Sequence, residues 1–163
     1  MSQGKAKEST TNRPVLGDLL LRTLAMPSNA NPAGDIFGGW IMSQMDIAGA
    51  IIAREVSNCR VVTAAVEGMS FLKPVNVGDV VCCYGKCIKT GHTSMKVNMQ
   101  LWVKKLTDCN GEETAERHLV TEAVFTYVAV DKDGRPKPLP PNAAYIAEHG
   151  LDSPASKAGL QSC

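Results

Sequence analysis

The sequence predicts an α+β fold in which one long apolar helix lies in a curved, five-stranded antiparallel sheet. Three observations point to it. The run from Ile36 to Ala53, IFGGWIMSQMDIAGAIIA, has a single charged side chain, Asp46. A helix that apolar must be covered on nearly all sides. After it the apolar period drops from helical to alternating. Ser94–Lys104 is the clearest case: Met95, Val97, Met99, Leu101 and Val103 fall on one face, with Lys96, Asn98, Gln100 and Trp102 on the other. Finally, loops alone cannot bury one helix, whereas a sheet wrapped round it can.

The elements follow in order. Residues 1–14 are polar and read as a flexible tail. Leu16–Met26 is apolar, with strand character around Leu19–Leu24. Pro27–Gly34 (PSNANPAG) is dense in turn formers. The helix is expected over roughly Gly38–Glu55, with Asn58 available to stop it. Arg60–Phe71 is rich in Val and Thr and reads as a strand, closed by turn signals at Lys73-Pro74 and Asn76–Asp79. Val80–Thr90 is the next strand and Gly91-His92 its hairpin turn. Ser94–Lys104 returns, Thr107–Glu116 is a polar loop, and Arg117–Val130 is the last long strand. Asp131–Arg135 turns out of it. The end, from Pro136, is expected to trail over the surface. This divides the chain into a tail over 1–14, one domain over 15–140 and a C-terminal tail over 141–163. A five-stranded sheet has open edges, so pairing with a second copy is expected.

Composition narrows the function. The chain has 163 residues, 44% hydrophobic and 20% charged, which suits a single core. A net charge of +1 gives no electrostatic case for a nucleic-acid partner. No apolar signal core is visible at the N-terminus, and the Asp46 run, interrupted by polar residues and glycines, reads as a buried helix and not a membrane span. The six cysteines form no C-x-x-C pair and have no nearby His to complete a zinc site, so reduced thiols in a cytoplasmic protein are expected, with no metal. Cys82 and Cys83, adjacent on a strand, should point to opposite faces.

Asp46 is the chemical feature. Asp is rarely buried without a partner, and an ionised carboxylate in an apolar site is costly unless paired or hydrogen-bonded. It suits a general base or a nucleophile; it would equally suit a buried Asp capping a backbone group. The Gly38-Gly39 pair ahead of it offers unpaired N–H groups at a positive helix end, with room for close approach. The same pair would also make an ordinary tight turn. Asp46 lies nearly two turns after Gly39, too far to serve the same helix end easily.

Four blocks resemble one family. RTLAMP (Arg22–Pro27), GDIFGGWIMSQMD (Gly34–Asp46), VEGMSFLKPVNVGDVV (Val66–Val81) and LWVKK (Leu101–Lys105) are similar to the YciA-type acyl-CoA thioesterases of the hotdog fold, over roughly residues 16–140. The resemblance implies hydrolysis of acyl-CoA to free acid and CoA without a cofactor. It implies a homodimer with one continuous sheet, assembled into a trimer of dimers, with sites shared between subunits. Asp46 matches the catalytic acid, Asn31 and Gly34 the N-x-x-G pattern before the helix, and Gly38-Gly39 its start. Where some relatives carry Asn directly before that glycine, this chain has Ala33 after Pro32.

The implied catalytic set is Asp46, Asn31 and Gly39, with Asn31 orienting water or the carbonyl. Expected substrate contacts are Gly34, Gly38, the Met69-Ser70-Phe71 segment with Lys73, the turn residues Gly91, Thr93 and Ser94, and the cations Lys104 and Arg117, with Lys89 and Lys105 as further candidates. The alternatives are a non-hydrolytic acyl-CoA-binding sensor and a hydratase or dehydratase; the latter usually pairs His with an acid, and no His lies in the loop–helix segment.

Overall fold

The computed structural model describes residues 13–105 and 117–150. Most of the N-terminal tail and all of the expected polar loop Thr107–Glu116 therefore lie outside the described residues, as does the end from 151. The elements are β1 (Asp18–Leu24), α1 (Gly38–Ser57), β2 (Arg60–Glu67), β3 (Val80–Thr90), β4 (Ser94–Lys104), β5 (Arg117–Val130) and α2 (Ala143–His149). The strands form one antiparallel sheet in the order β1-β3-β4-β5-β2, and α1 lies on one face of it.

Most elements follow from local chemistry. α1 ends where Asn58 takes a left-handed conformation (φ 48°) and closes its N–H on the Arg54 carbonyl at 2.8 Å. Asn tolerates that conformation better than other side chains do. Arg54 in the last turn also complements the negative helix end. β2 stops at Glu67, short of the expected Phe71. Gly68, at φ 73°, turns the chain out of the sheet, and Met69–Lys73 run as a loop. One bond ties that loop back: the Leu72 N–H donates to the Val120 carbonyl at 2.8 Å.

The core sits between α1 and the sheet. Ile41, Met45, Ala48, Ile52, Ala53 and Val56 face Met95, Val97, Met99, Leu101, Phe125 and Tyr127. Each fully buried aliphatic or Phe side chain there contributes about 1.5–3 kcal/mol. Trp102 faces outward by alternation, and a bulge on β5 that skips Val120 between the Leu101–Thr121 and Trp102–Leu119 pairs turns Leu119 to the same outer face. With Cys82 they form a small second cluster, against which Val15 packs. Gln100 Oε1 pins it by accepting from the Leu16 N–H and the Trp102 indole N–H, both at 3.0 Å. Cys83 joins the main core, so the adjacent cysteines do face opposite ways.

Two expectations need correction. The segment after Pro136 does not simply trail. It turns into α2, which buries Ala143 and Ile146 against the core. The sheet also does not cover α1 all round. Ile47 and Ile51 are 53% and 39% exposed on its outward side, and Met42, about half a turn round the helix from Ile51, is 39% exposed. Among the described residues β2 pairs only with β5, and its other edge is open.

Candidate active site

The site is built on α1 and the loops at its start. Asn29 and Asn31 organise the approach. Asn31 Oδ1 accepts from the N–H groups of Ala33 (2.9 Å) and Asp35 (3.1 Å), and the Gly34 N–H closes on the Asn31 carbonyl at 2.9 Å. Gly34 sits at φ 94°, where a side chain would be strained. The Asn31 side-chain oxygen is thus occupied in shaping the loop and is not free to orient water or a thioester. Its amide Nδ2 is the remaining donor group.

At the helix start, Phe37 is the N-cap and supplies no side-chain cap. The N–H groups of Trp40 and Ile41 close on the Phe37 carbonyl at 3.0 and 3.2 Å. Among the described residues, those of Gly38 and Gly39 have no acceptor and remain as open donors at the positive helix end. The two glycines differ. A Cβ on Gly38 would come 3.2 Å from the Phe71 ring, whereas one on Gly39 would meet nothing within 4 Å. Packing within the chain therefore does not require Gly39 to lack a side chain. A cleft of about 310 Å³ adjoins this start and is lined by Asp35, Gly38, Ile41, Phe71, Lys73 and Pro74, among others. It brings together three of the expected contacts: Gly38, Phe71 and Lys73.

Asp46 lies seven residues after Gly39, about 10 Å farther along the helix axis. It is half-buried and faces β2 and β5. Register explains its surroundings. Thr63 of β2 is paired with Tyr127 of β5, so their side chains stand side by side on the helix face. Thr63 Oγ1 donates to Asp46 Oδ1 at 2.6 Å, and the Tyr127 hydroxyl lies 3.1 Å from the same oxygen and 2.9 Å from the Asp46 main-chain carbonyl. Burial, together with the charge and hydrogen bond of Asp46, pushes the Tyr127 hydroxyl well above its ordinary pKa, so it remains a protonated donor.

The other expected contacts fall at two ends of the sheet. Gly91, Thr93 and Ser94 form the β3–β4 turn, where the Gly91 N–H donates to the Ser94 carbonyl at 2.7 Å. Lys104 is paired with Arg117 at the far end of β4, ten residues from Ser94 and roughly 33 Å along the strand. Arg117 already has a use there, with its guanidinium 5.8 Å from the Trp102 ring centroid. Met69 is half-buried against the core and Ser70 is exposed on the loop. Among the described residues no group of three or more His, Cys, Asp or Glu side chains is placed to hold a metal.

Thr63, Tyr127 and Gly49 escape the sequence reading. One signal was present: Tyr127 puts a phenol between Phe125 and Ala129 in the inward series of β5.

A long helix on a five-stranded antiparallel sheet is the architecture of the hotdog class. The pattern of the Thioesterase superfamily matches residues 33–110. The acyl-CoA thioester hydrolase YciA of Escherichia coli K12 is 58% identical over 132 residues, covering 81% of this chain and 98% of that protein. Among solved structures, a hexameric broad-specificity acyl-coenzyme A thioesterase matches with a TM-score of 0.76 and 55% identity, over 83% of this chain and 92% of the other. A hexameric hotdog-fold thioesterase of Campylobacter jejuni matches at 0.75 and 42%, over 81% and 97%. The chain belongs to the thioesterase superfamily and, within it, to the YciA-type acyl-CoA thioester hydrolases.

Proposed function

We propose that this protein hydrolyses acyl-CoA thioesters to a carboxylic acid and CoA, with Asp46 as the reacting carboxylate and the Gly38-Gly39 helix start of a second copy as the oxyanion site. One observation carries the reading. The chain presents an anchored carboxylate and a pair of open N–H groups about 10 Å apart along α1, both beside its uncovered side. That separation is too long for one carbonyl group, whose carbon and oxygen must each meet a partner at about 3 Å. Two copies related by a two-fold axis would bring one chain's Asp46 opposite the other's Gly39. The open edge of β2 and the exposed Ile47 and Ile51 supply an interface for that pairing. Related proteins described as hexameric support an assembly of three such dimers.

The chemistry needs no metal or cofactor. As general base, Asp46 takes a proton from water while the hydroxide attacks the acyl carbon. The resulting oxyanion is met by the Gly38 and Gly39 N–H groups. Its collapse breaks the C–S bond, and the departing thiolate takes up a proton. As nucleophile, Asp46 would instead attack directly, expel the thiolate and form an anhydride that water then cleaves. Both routes use the same groups. A thiol ionises near pKa ~8.5, so the leaving group requires no strong acid. The cleft beside Gly38, with Lys73 at its wall, suits the CoA end of the substrate. Reduced cysteines are consistent with a cytoplasmic enzyme; Cys59, Cys82, Cys83 and Cys87 are free thiols.

Asp46→Ala is expected to abolish thiol release from butyryl-CoA while leaving the fold and oligomer intact. Retention of more than a few per cent of wild-type turnover would sink the assignment. A thiol-release assay also separates the alternatives, because neither a sensor nor a hydratase liberates free CoA.

A further inference from the structure

We propose that Tyr127 is a positioning residue: its phenol, seated on Gly49, holds Asp46 Oδ1 together with Thr63 and leaves Oδ2 as the working oxygen. The inference rests on the assignment of Asp46 as the reacting carboxylate. It goes further by giving the two carboxylate oxygens different tasks.

The geometry is specific. Both hydroxyls converge on Oδ1, at 2.6 Å from Thr63 and 3.1 Å from Tyr127. Among the described residues no donor is placed on Oδ2. The phenol reaches the main-chain carbonyl of Asp46 as well, at 2.9 Å. It therefore sits against both ends of the residue, and an Asp side chain has only two torsions to fix between them. Its single proton is drawn most strongly by the anion, where the bond is charge-assisted. A half-exposed carboxylate without such a clamp would sample several rotamers.

Gly49 shows that the seat is shaped for the hydroxyl. A Cβ at Gly49 would lie 2.4 Å from the Tyr127 oxygen and 3.1 Å from its ring carbons. Gly49 follows Asp46 by three residues, so the notch and the carboxylate share one helix face. Gly in a helix interior is unfavourable relative to Ala. A buried phenol between apolar Phe125 and Ala129 also has no packing advantage over Phe. Both costs are explained if the hydroxyl must reach Asp46.

The test compares wild type with Tyr127→Phe, Gly49→Ala and Asp46→Ala, using thiol release from butyryl-CoA. Tyr127→Phe keeps the ring and removes only the clamp. It is expected to lower kcat about ten- to a hundredfold, the range of a hydrogen bond to a charged group, with KM within about twofold of wild type. The melting temperature and oligomer should hold. Gly49→Ala leaves both hydroxyls and the carboxylate intact but fills the seat, so it should reproduce the loss in kcat. An unchanged kcat in Tyr127→Phe, beside an inactive Asp46→Ala, overturns this inference and leaves the assignment of Asp46 standing. A loss of kcat matched by a lower melting temperature in both variants also overturns it, making the phenol a structural staple. Turnover surviving in Asp46→Ala removes the parent reading instead. If Tyr127→Phe fails to fold, Gly49→Ala decides.

Discussion

Cys83 shows how burial tunes a single side chain on this fold. Its thiol sits in the main core, and desolvation, followed by the neighbouring Cys82, pushes its pKa from 9.0 up to about 12. The unfolded chain therefore releases this proton near pH 9 while the folded chain keeps it to about 12. Between those values the native state binds more protons, so stability falls as pH rises. The contribution is fully present below pH 9. Urea midpoints measured from pH 8 to 11 are expected to decline, and Cys83→Val is expected to flatten that slope. An identical slope in the variant would show that the thiol is not its source. Tyr127 adds the same sign at higher pH, since its hydroxyl is also pushed up, by burial first and then by Asp46.

Among the elements, α1 and the strands β3, β4 and β5 were legible because each carries a local pattern that packing only reinforces. β4 alternates through its whole length, and its inward residues Met95, Val97, Met99, Leu101 and Val103 are all buried. The boundary of β2 was not legible. The stretch 60–71 looks uniformly strand-like, yet the positive φ at Gly68 ends it. α2 was missed for a different reason. Seven residues after a Pro-rich stretch are too few to show a helical period, and the helix exists because Ala143 and Ile146 find a surface on the core. That surface is a tertiary fact absent from the local sequence. A prediction follows from the same contact. Ile146→Ala should lower unfolding free energy by about 2 kcal/mol or more, as large-to-small core changes do. Its effect on kcat should be negligible, since Ile146 is remote from Asp46 in the fold. A loss below about 0.5 kcal/mol would mean that α2 is only loosely docked. The site follows the same division. Asp46 and the glycine pair stood out as residue types in the wrong company. Thr63 and Tyr127 became partners of Asp46 only through the β2–β5 register.

At the scale of the whole molecule the question is which chain completes which site. In the proposed arrangement a two-fold dimer would hold two sites, each taking Gly39 from one copy and Asp46 from the other. Two inactive variants should then rescue one another. Asp46→Ala keeps the helix start, and Gly39→Val keeps the carboxylate. A Cβ at Gly39 meets nothing within 4 Å among the described residues, so Gly39→Val is expected to fold, which its melting temperature checks. Its effect would be on what approaches from outside. When the two variants are co-expressed, half of the dimers are mixed if pairing is random. Each mixed dimer has one site with both wild-type groups and one with neither. Activity near about a quarter of wild type is therefore expected, against near zero for either variant alone. If Gly39 and Asp46 of the same chain formed the site, no mixture could restore it, because every chain would carry one defect. The co-expressed sample, with its composition checked by mass spectrometry, therefore tests whether the catalytic unit is the chain or the pair. Absence of rescue in a sample shown to contain mixed dimers would return the site to a single subunit. It would also leave the open side of α1, with Ile47 and Ile51 exposed on it, as an assembly surface without a catalytic role.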